Sequence, residues 1–128
     1  MPNLRRILHV EDDPSIQAVT KLALEVVGGF QVLSCASGQD ALDQLQGFAP
    51  DFILLDVMMP GMDGPQTLAQ IAQLIDINRV PVAFMTAKVQ PAEIAYYCSL
   101  GARDVIIKPF DPMQLASQVR TIWNRAHE

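Results

Sequence analysis

The sequence is short of the residues that many small-protein chemistries need. It has only two cysteines, Cys35 and Cys98, far apart in the chain. Each sits in an apolar pattern, so both are expected as buried free thiols rather than as a disulfide or a metal site. Charge is sparse: 18% of residues are charged against 50% hydrophobic, which argues against disorder. Basic residues are outnumbered, nine to fourteen, and a net charge of −5 argues against a nucleic-acid surface. No apolar run nears the ~20 residues of a membrane span, so no membrane role is expected. The basic start at Arg5-Arg6 lacks a signal peptide's apolar region and cleavage site. No repeat, low-complexity segment or linker breaks the 128 residues. One domain over 1–128 with its own core is expected, in the cytoplasm.

What is present is organised around one stretch, Leu54-Leu55-Asp56-Val57-Met58-Met59-Pro60-Gly61-Met62-Asp63-Gly64. The apolar run Phe52 to Leu55 has the character of a buried strand, and it ends on a carboxylate. A loop cap is the plain reading of Asp56. Against it, a second acidic group, Glu11-Asp12-Asp13, ends another apolar strand, 5–10. His9 interrupts that strand. It reads either as a structural histidine with a local partner or as a group close enough to the acids to tune them.

The remaining elements follow from local signals. Asp13-Pro14 opens a first helix with an N-cap and a proline in the first turn. Its expected apolar face is Ile16, Val19, Ala23, Val26 and Val27, and Gly28-Gly29 ends it. A second strand, 30–35, precedes a helix capped at Ser37, with Ala41, Leu42 and Leu45 inward and Gly47 closing it. Asp63-Gly64-Pro65 starts a third helix with the stripe Leu68, Ile71, Ala72 and Ile75. The fourth strand, 80–85, runs out at Thr86-Ala87-Lys88. A fourth helix begins poorly capped at Gln90-Pro91, because Gln lacks the short side chain that reaches back to the backbone, and ends at Gly101. A short strand, 105–107, leads to Lys108-Pro109-Phe110, and Asp111-Pro112 is expected to open the last helix.

Strands alternating with helices predict an α/β fold: a doubly wound five-stranded parallel sheet, order 2-1-3-4-5, flavodoxin-like. The crevice of such a sheet lies between strands 1 and 3, where Glu11, Asp12 and Asp56 would meet, with Thr86 and Lys108 on the same edge. Two like charges ~4 Å apart cost about 4 kcal/mol at an effective dielectric of about 20. The acids therefore need a cation or a raised pKa. An all-oxygen set suits Mg²⁺. A nucleophilic carboxylate beside a hard cation, a lysine and a hydroxyl is a phosphoryl-transfer arrangement.

These marks together resemble the receiver domains of two-component response regulators. The resemblance rests on Val10-Glu11-Asp12-Asp13, Leu55 to Gly64, Met85-Thr86-Ala87, and Gly101-Ala102 followed by Lys108-Pro109-Phe110, and it covers about residues 5–123. It implies Asp56 as phosphoacceptor, served by a histidine kinase or a histidine phosphotransfer protein. It implies Mg²⁺ on Asp12, Asp56 and the Met58 backbone carbonyl, with Glu11 acting through water. Thr86, the Ala87 N–H and Lys108 would hold phosphoryl oxygens. It implies a signalling domain rather than an enzyme, though one with slow autodephosphorylation, and a cis Lys108-Pro109 bond. The implied output is a downstream protein partner on the face of helix 4, strand 5 and helix 5, with Tyr96 or Tyr97, Val105 and part of the Trp123 helix; no direct nucleic-acid contact is expected.

Two departures stand out. The family's usual aromatic three residues before the lysine is Val105 here, and a β-branched side chain with one stiff χ1 cannot swing as a ring does. The chain also stops after the last helix, so the expectation is a receiver without an output domain, either stand-alone or cut from a longer protein. Three rivals fit less well, one being a non-phosphorylated interaction domain that keeps the fold, against which the complete set Asp12, Asp56, Thr86 and Lys108 speaks. An aspartyl-nucleophile phosphatase would want a second acid two residues after Asp56, where Met58 stands. A nucleotide-binding module would want a glycine-rich loop after strand 1, where acids stand instead.

Overall fold

The computed structural model describes residues 3–87 and 90–128. Lys88, at the expected end of strand 4, lies outside the described residues. Five strands are seen: β1 Arg6–Val10, β2 Gln31–Cys35, β3 Phe52–Asp56, β4 Val82–Thr86 and β5 Asp104–Ile107. They form one parallel sheet in the order β2-β1-β3-β4-β5. The helices are α1 Pro14–Leu22, α2 Gly38–Phe48, α3 Gly64–Leu74, α4 Pro91–Ser99 and α5 Leu115–Ala126. A π-helical turn, Ala23–Val27, continues α1. The expected doubly wound α/β architecture is therefore observed.

The strand pleat divides the core in two. On one face Ile7, Val32, Phe52, Leu54, Ala83 and Met85 pack against Leu24 of the π turn and against Leu115, Val119 and Trp123 of α5. On the other, Leu8, Val10, Ile53, Leu55 and Phe84 pack against Ala41 and Leu45 of α2, Leu68 and Ile71 of α3, and Tyr97 of α4. Every residue of β3 and β4 is buried, as expected of strands covered on both sides.

Helix starts follow the sequence signals, with one exception. The Asp13 carboxylate accepts from Ser15 and Ile16 N–H, and Ser37 Oγ accepts from Asp40 N–H at 3.1 Å. Asp63 and Gln66 form a reciprocal capping box at the head of α3. Gln90 makes no side-chain cap bond on α4. The exception is α5. Asp111 does not cap it; its carboxylate and carbonyl bond Met113 and Gln114 N–H in a separate turn, and the helix begins at Leu115. Gly47 does not close α2 either. The helix runs one residue further, and Ala49 takes the left-handed conformation at φ 51°.

The inward stripes also differ in detail. Val19, Val26 and Val27 of the first helical segment are exposed, at 44%, 72% and 44%, while Thr20 and Leu24 are buried. In α3, Ala72 is exposed and Thr67 is buried. Threonine fills an inward position in both helices, so a stripe drawn through apolar residues alone is set off the true face. Cys35 is buried as expected, but Cys98 lies on the exposed side of α4. Trp123 faces the core rather than an outer surface.

Two glycines give a contrast. A Cβ on Gly64 would lie 2.6 Å from the Asp56 carbonyl oxygen and 2.8 Å from Val57 Cα, both backbone atoms. Around Gly47, inside α2, nothing lies within 4 Å of such a Cβ. Gly64→Ala is expected to destabilise by about 1–3 kcal/mol, and Gly47→Ala to stabilise by about 0.5–1 kcal/mol. Urea denaturation of the two variants checks both signs.

Candidate functional site

The carboxyl edge of the sheet gathers four ionisable side chains from three strand ends. Asp56 is the last residue of β3. Glu11 follows β1, and its N–H donates to the Cys35 carbonyl at 2.9 Å, which fixes it beside β2. Asp12 follows and is exposed. One carboxylate oxygen from each of Glu11, Asp12 and Asp56 lies within 4.8 Å of the others. Lys108 follows β5, its N–H donating to the Thr86 carbonyl at 2.9 Å. Its ammonium reaches between the two buried acids, 2.7 Å from Asp56 Oδ1 and 2.9 Å from Glu11 Oε1. The Lys108–Pro109 peptide bond is cis.

Electrostatics follow from this packing. Burial raises the Glu11 carboxyl above its ordinary value; the Lys108 hydrogen bond pulls it back, and the charge of Asp56 adds to the rise. Burial alone would lower the Lys108 amine, but its bonds to Asp56 and Glu11 outweigh that and raise it. The ammonium thus offsets part of the carboxylate repulsion. Three acids against one lysine still leave an excess of negative charge beside an exposed carboxylate. All offered ligand atoms are oxygens, the donor type that suits a hard dication. The cluster is compatible with Mg²⁺.

Thr86 ends β4 on the same edge, buried, in register with Ile107 of β5. Ala87 follows it, exposed. Met58 lies two residues beyond Asp56, with its side chain exposed. The Val57 carbonyl just before it is taken by Gly64 N–H at 2.8 Å. Val105 is half-buried in β5. Of the two tyrosines, Tyr97 is buried against Phe84, with ring centroids 5.2 Å apart, while Tyr96 is 55% exposed.

Sequence reasoning missed three supports. The Gln17 side-chain amide donates to the Glu11 carbonyl, clamping α1 to the acidic turn. The Asp13 N–H donates to Glu11 Oε2 at 3.3 Å. Gly64 brings the first turn of α3 against the Asp56 backbone. For Gly64 the signal was visible, since a glycine stands directly after an N-cap where most residue types are allowed. His9 falls between its two readings. It is fully buried, yet neither ring nitrogen has a partner among the described residues. It does sense the site: burial first, then the charge of Lys108, lowers its pKa from 6.5 to about 4.

Comparison with known proteins agrees with this geometry. The description of the response regulator receiver domain matches residues 7–120. The chain is 35% identical over 125 residues to the transcriptional regulatory protein CseB of Streptomyces coelicolor, spanning 98% of this chain and 52% of that protein. It is 34% identical over 122 residues to the transcriptional regulatory protein YvrH of Bacillus subtilis, spanning 95% and 50%. The chain thus spans about half the length of these relatives. The solved structure of the chemotaxis response regulator CheY4 of Vibrio cholerae superposes with a TM-score of 0.86 at 26% identity, covering 94% of this chain and 99% of that one. A doubly wound sheet with acids at its β1/β3 crevice and a lysine across from them defines a class of signalling domain. The chain belongs to the response regulator receiver domain family of two-component systems. No helix among the described residues is long and apolar enough to cross a membrane.

The buried histidine gives a pH signature. The folded state holds His9 at about 4 against 6.5 in the unfolded chain. Its contribution is present above pH 6.5 and is lost as pH falls through about 4. The loss attributable to His9 should approach about 3 kcal/mol. Metal-free urea titrations of wild type and His9→Val at pH 7 and pH 4 isolate it, with the variant expected to lose less.

Proposed function

We propose that this chain accepts a phosphoryl group on Asp56 from the phosphohistidine of a histidine kinase or phosphotransfer protein, with Mg²⁺ bound, and switches a protein partner. The observation that carries this reading is the Lys108 ammonium seated between Asp56 and Glu11, opposite an exposed third acid. An Asp56 carboxylate oxygen attacks phosphorus, the bond to the donor's imidazole nitrogen breaks, and that nitrogen keeps the electron pair. Lys108, already at the attacking carboxylate, balances charge on one transferred oxygen. Thr86 and the Ala87 N–H take others. When bound, Mg²⁺ neutralises charge on the transferring group; Asp12, Asp56 and the Met58 carbonyl would hold it, with Glu11 acting through water. Hydrolysis of the resulting acyl phosphate by water is the slow reverse of the switch.

Within this reading residues 1–128 form one receiver domain, acting in the cytoplasm. In a longer protein it would govern whatever follows. The relatives' printed role as transcriptional regulators makes a DNA-binding output one such case, with this domain itself touching no nucleic acid. The partner-facing surface is α4, β5 and α5, where Tyr96 and Ile107 are exposed.

Two measurements test the reading. Incubation with acetyl phosphate and Mg²⁺ should add one phosphoryl group by intact mass, and Asp56→Asn should abolish the gain. Mg²⁺ should also raise the melting temperature of wild type more than that of the variant. A variant phosphorylated elsewhere would overturn the site.

The second measurement concerns the output route. With valine at 105 and no side-chain cap on α4, the response should pass through the loop after β4. Beryllofluoride with Mg²⁺ should change amide exchange most in residues 86–93 and less around Val105. Val105→Tyr should enlarge the response of β5 while leaving phosphorylation intact.

A further inference from the structure

We propose that His9, Thr20 and Ser34 form a buried hydration site, holding one ordered water between α1 and the β1–β2 pair directly beneath Glu11. Four polar atoms carry the argument: both ring nitrogens of His9, Thr20 Oγ1 and Ser34 Oγ are buried without a partner among the described residues. Buried polar groups in native proteins are bonded almost without exception, to protein or to ordered water.

The three side chains converge. Along β1, Leu8 and Val10 belong to the cluster facing α2 and α3, while Ile7 belongs to the one facing α5 and the π turn. His9 alternates with Leu8 and Val10, so it shares the face of Ile7. In the parallel register Ser34 stands opposite His9, and Val32 opposite Ile7. Ser34 therefore faces the same way. Leu24 shares a core cluster with Ile7. Thr20 lies four residues before it, roughly 6 Å up the helix, and His9 lies two residues past Ile7, roughly 6.6 Å up the strand. α1 descends as β1 ascends, so the two side chains come level.

The capacities match a water. The neutral imidazole has one donor and one acceptor, and each hydroxyl has both. The lining has no formal charge, and the nearest cation acting on the ring is Lys108, which disfavours a metal ion. A bridge here would tie α1 to the strand end that presents Glu11. Gln17, one turn before Thr20 on α1, ties the same helix to the Glu11 carbonyl.

A high-resolution crystal structure, with a parallel bromide soak, tests the site. Expected is one density peak about 2.7–3.2 Å from a His9 ring nitrogen and from at least one of the two hydroxyls, with no anomalous bromide signal. Direct bonding of the ring to a hydroxyl with no peak would overturn the proposal, as would a bromide ion in that position. In solution, Thr20→Val keeps the shape and removes the hydroxyl. A melting temperature several degrees lower is expected, with Thr20→Ser keeping the water peak. If the Thr20→Val protein melts higher than wild type, the hydroxyl is a dry orphan and the water site is wrong.

Discussion

The ion pair network of Lys108 with Asp56 and Glu11 is the constraint on which the site depends. Two carboxylates are almost wholly excluded from solvent and lie close enough to repel each other. The ammonium that meets them comes from the far edge strand, 97 residues along the chain from Glu11. That contact is possible only because the sheet order brings the carboxyl ends of β1, β3 and β5 to one edge. The fold and the electrostatics are thus one requirement: a different strand order would leave buried acids unpaired.

Around that network the backbone is fixed by short local devices. The Lys108 N–H is held by Thr86, the Glu11 N–H by Cys35, and the Val57 carbonyl by Gly64. Each ties one loop residue to a neighbouring strand or helix start. Only Asp12, of the three acids, faces solvent. On this edge the Asp12, Met58 and Ala87 positions are exposed.

Much of this was legible in the chain. Apolar runs ending on acids located the strands and their functional edge, and Asp-Pro, Ser-Gly and Asp-Gly-Pro located three helix starts. Legibility failed where one residue type serves two purposes. Thr20 and Thr67 fill inward helical positions that an apolar stripe skips, so Val19, Val26, Val27 and Ala72 were assigned to the core although they are exposed. Asp111-Pro112 has the chemistry of a helix cap, but its bonds are spent in the turn at 112–114 that directly precedes α5. The π turn after α1 has no local signal at all: Ala23-Leu24-Glu25-Val26-Val27 reads as ordinary helix. At the site, residue identity and sheet order together named the acids and the lysine. The Gln17 clamp could not be foreseen, because a glutamine on a helix has many equivalent uses.

Phe84 sits where two elements meet. Its ring lies 5.2 Å from that of Tyr97 on α4, and the same ring is the side-chain atom nearest to a Cβ on Gly64, at 3.1 Å. The helix that would greet a partner and the loop that leads from Asp56 into α3 therefore share one aromatic wall. Coupling free energy is reciprocal. A shift of Tyr97 on one side of Phe84 would thus be felt at the loop beside Asp56 on the other. The packing of α4 and the backbone beside Asp56 are thus set by the position of one ring.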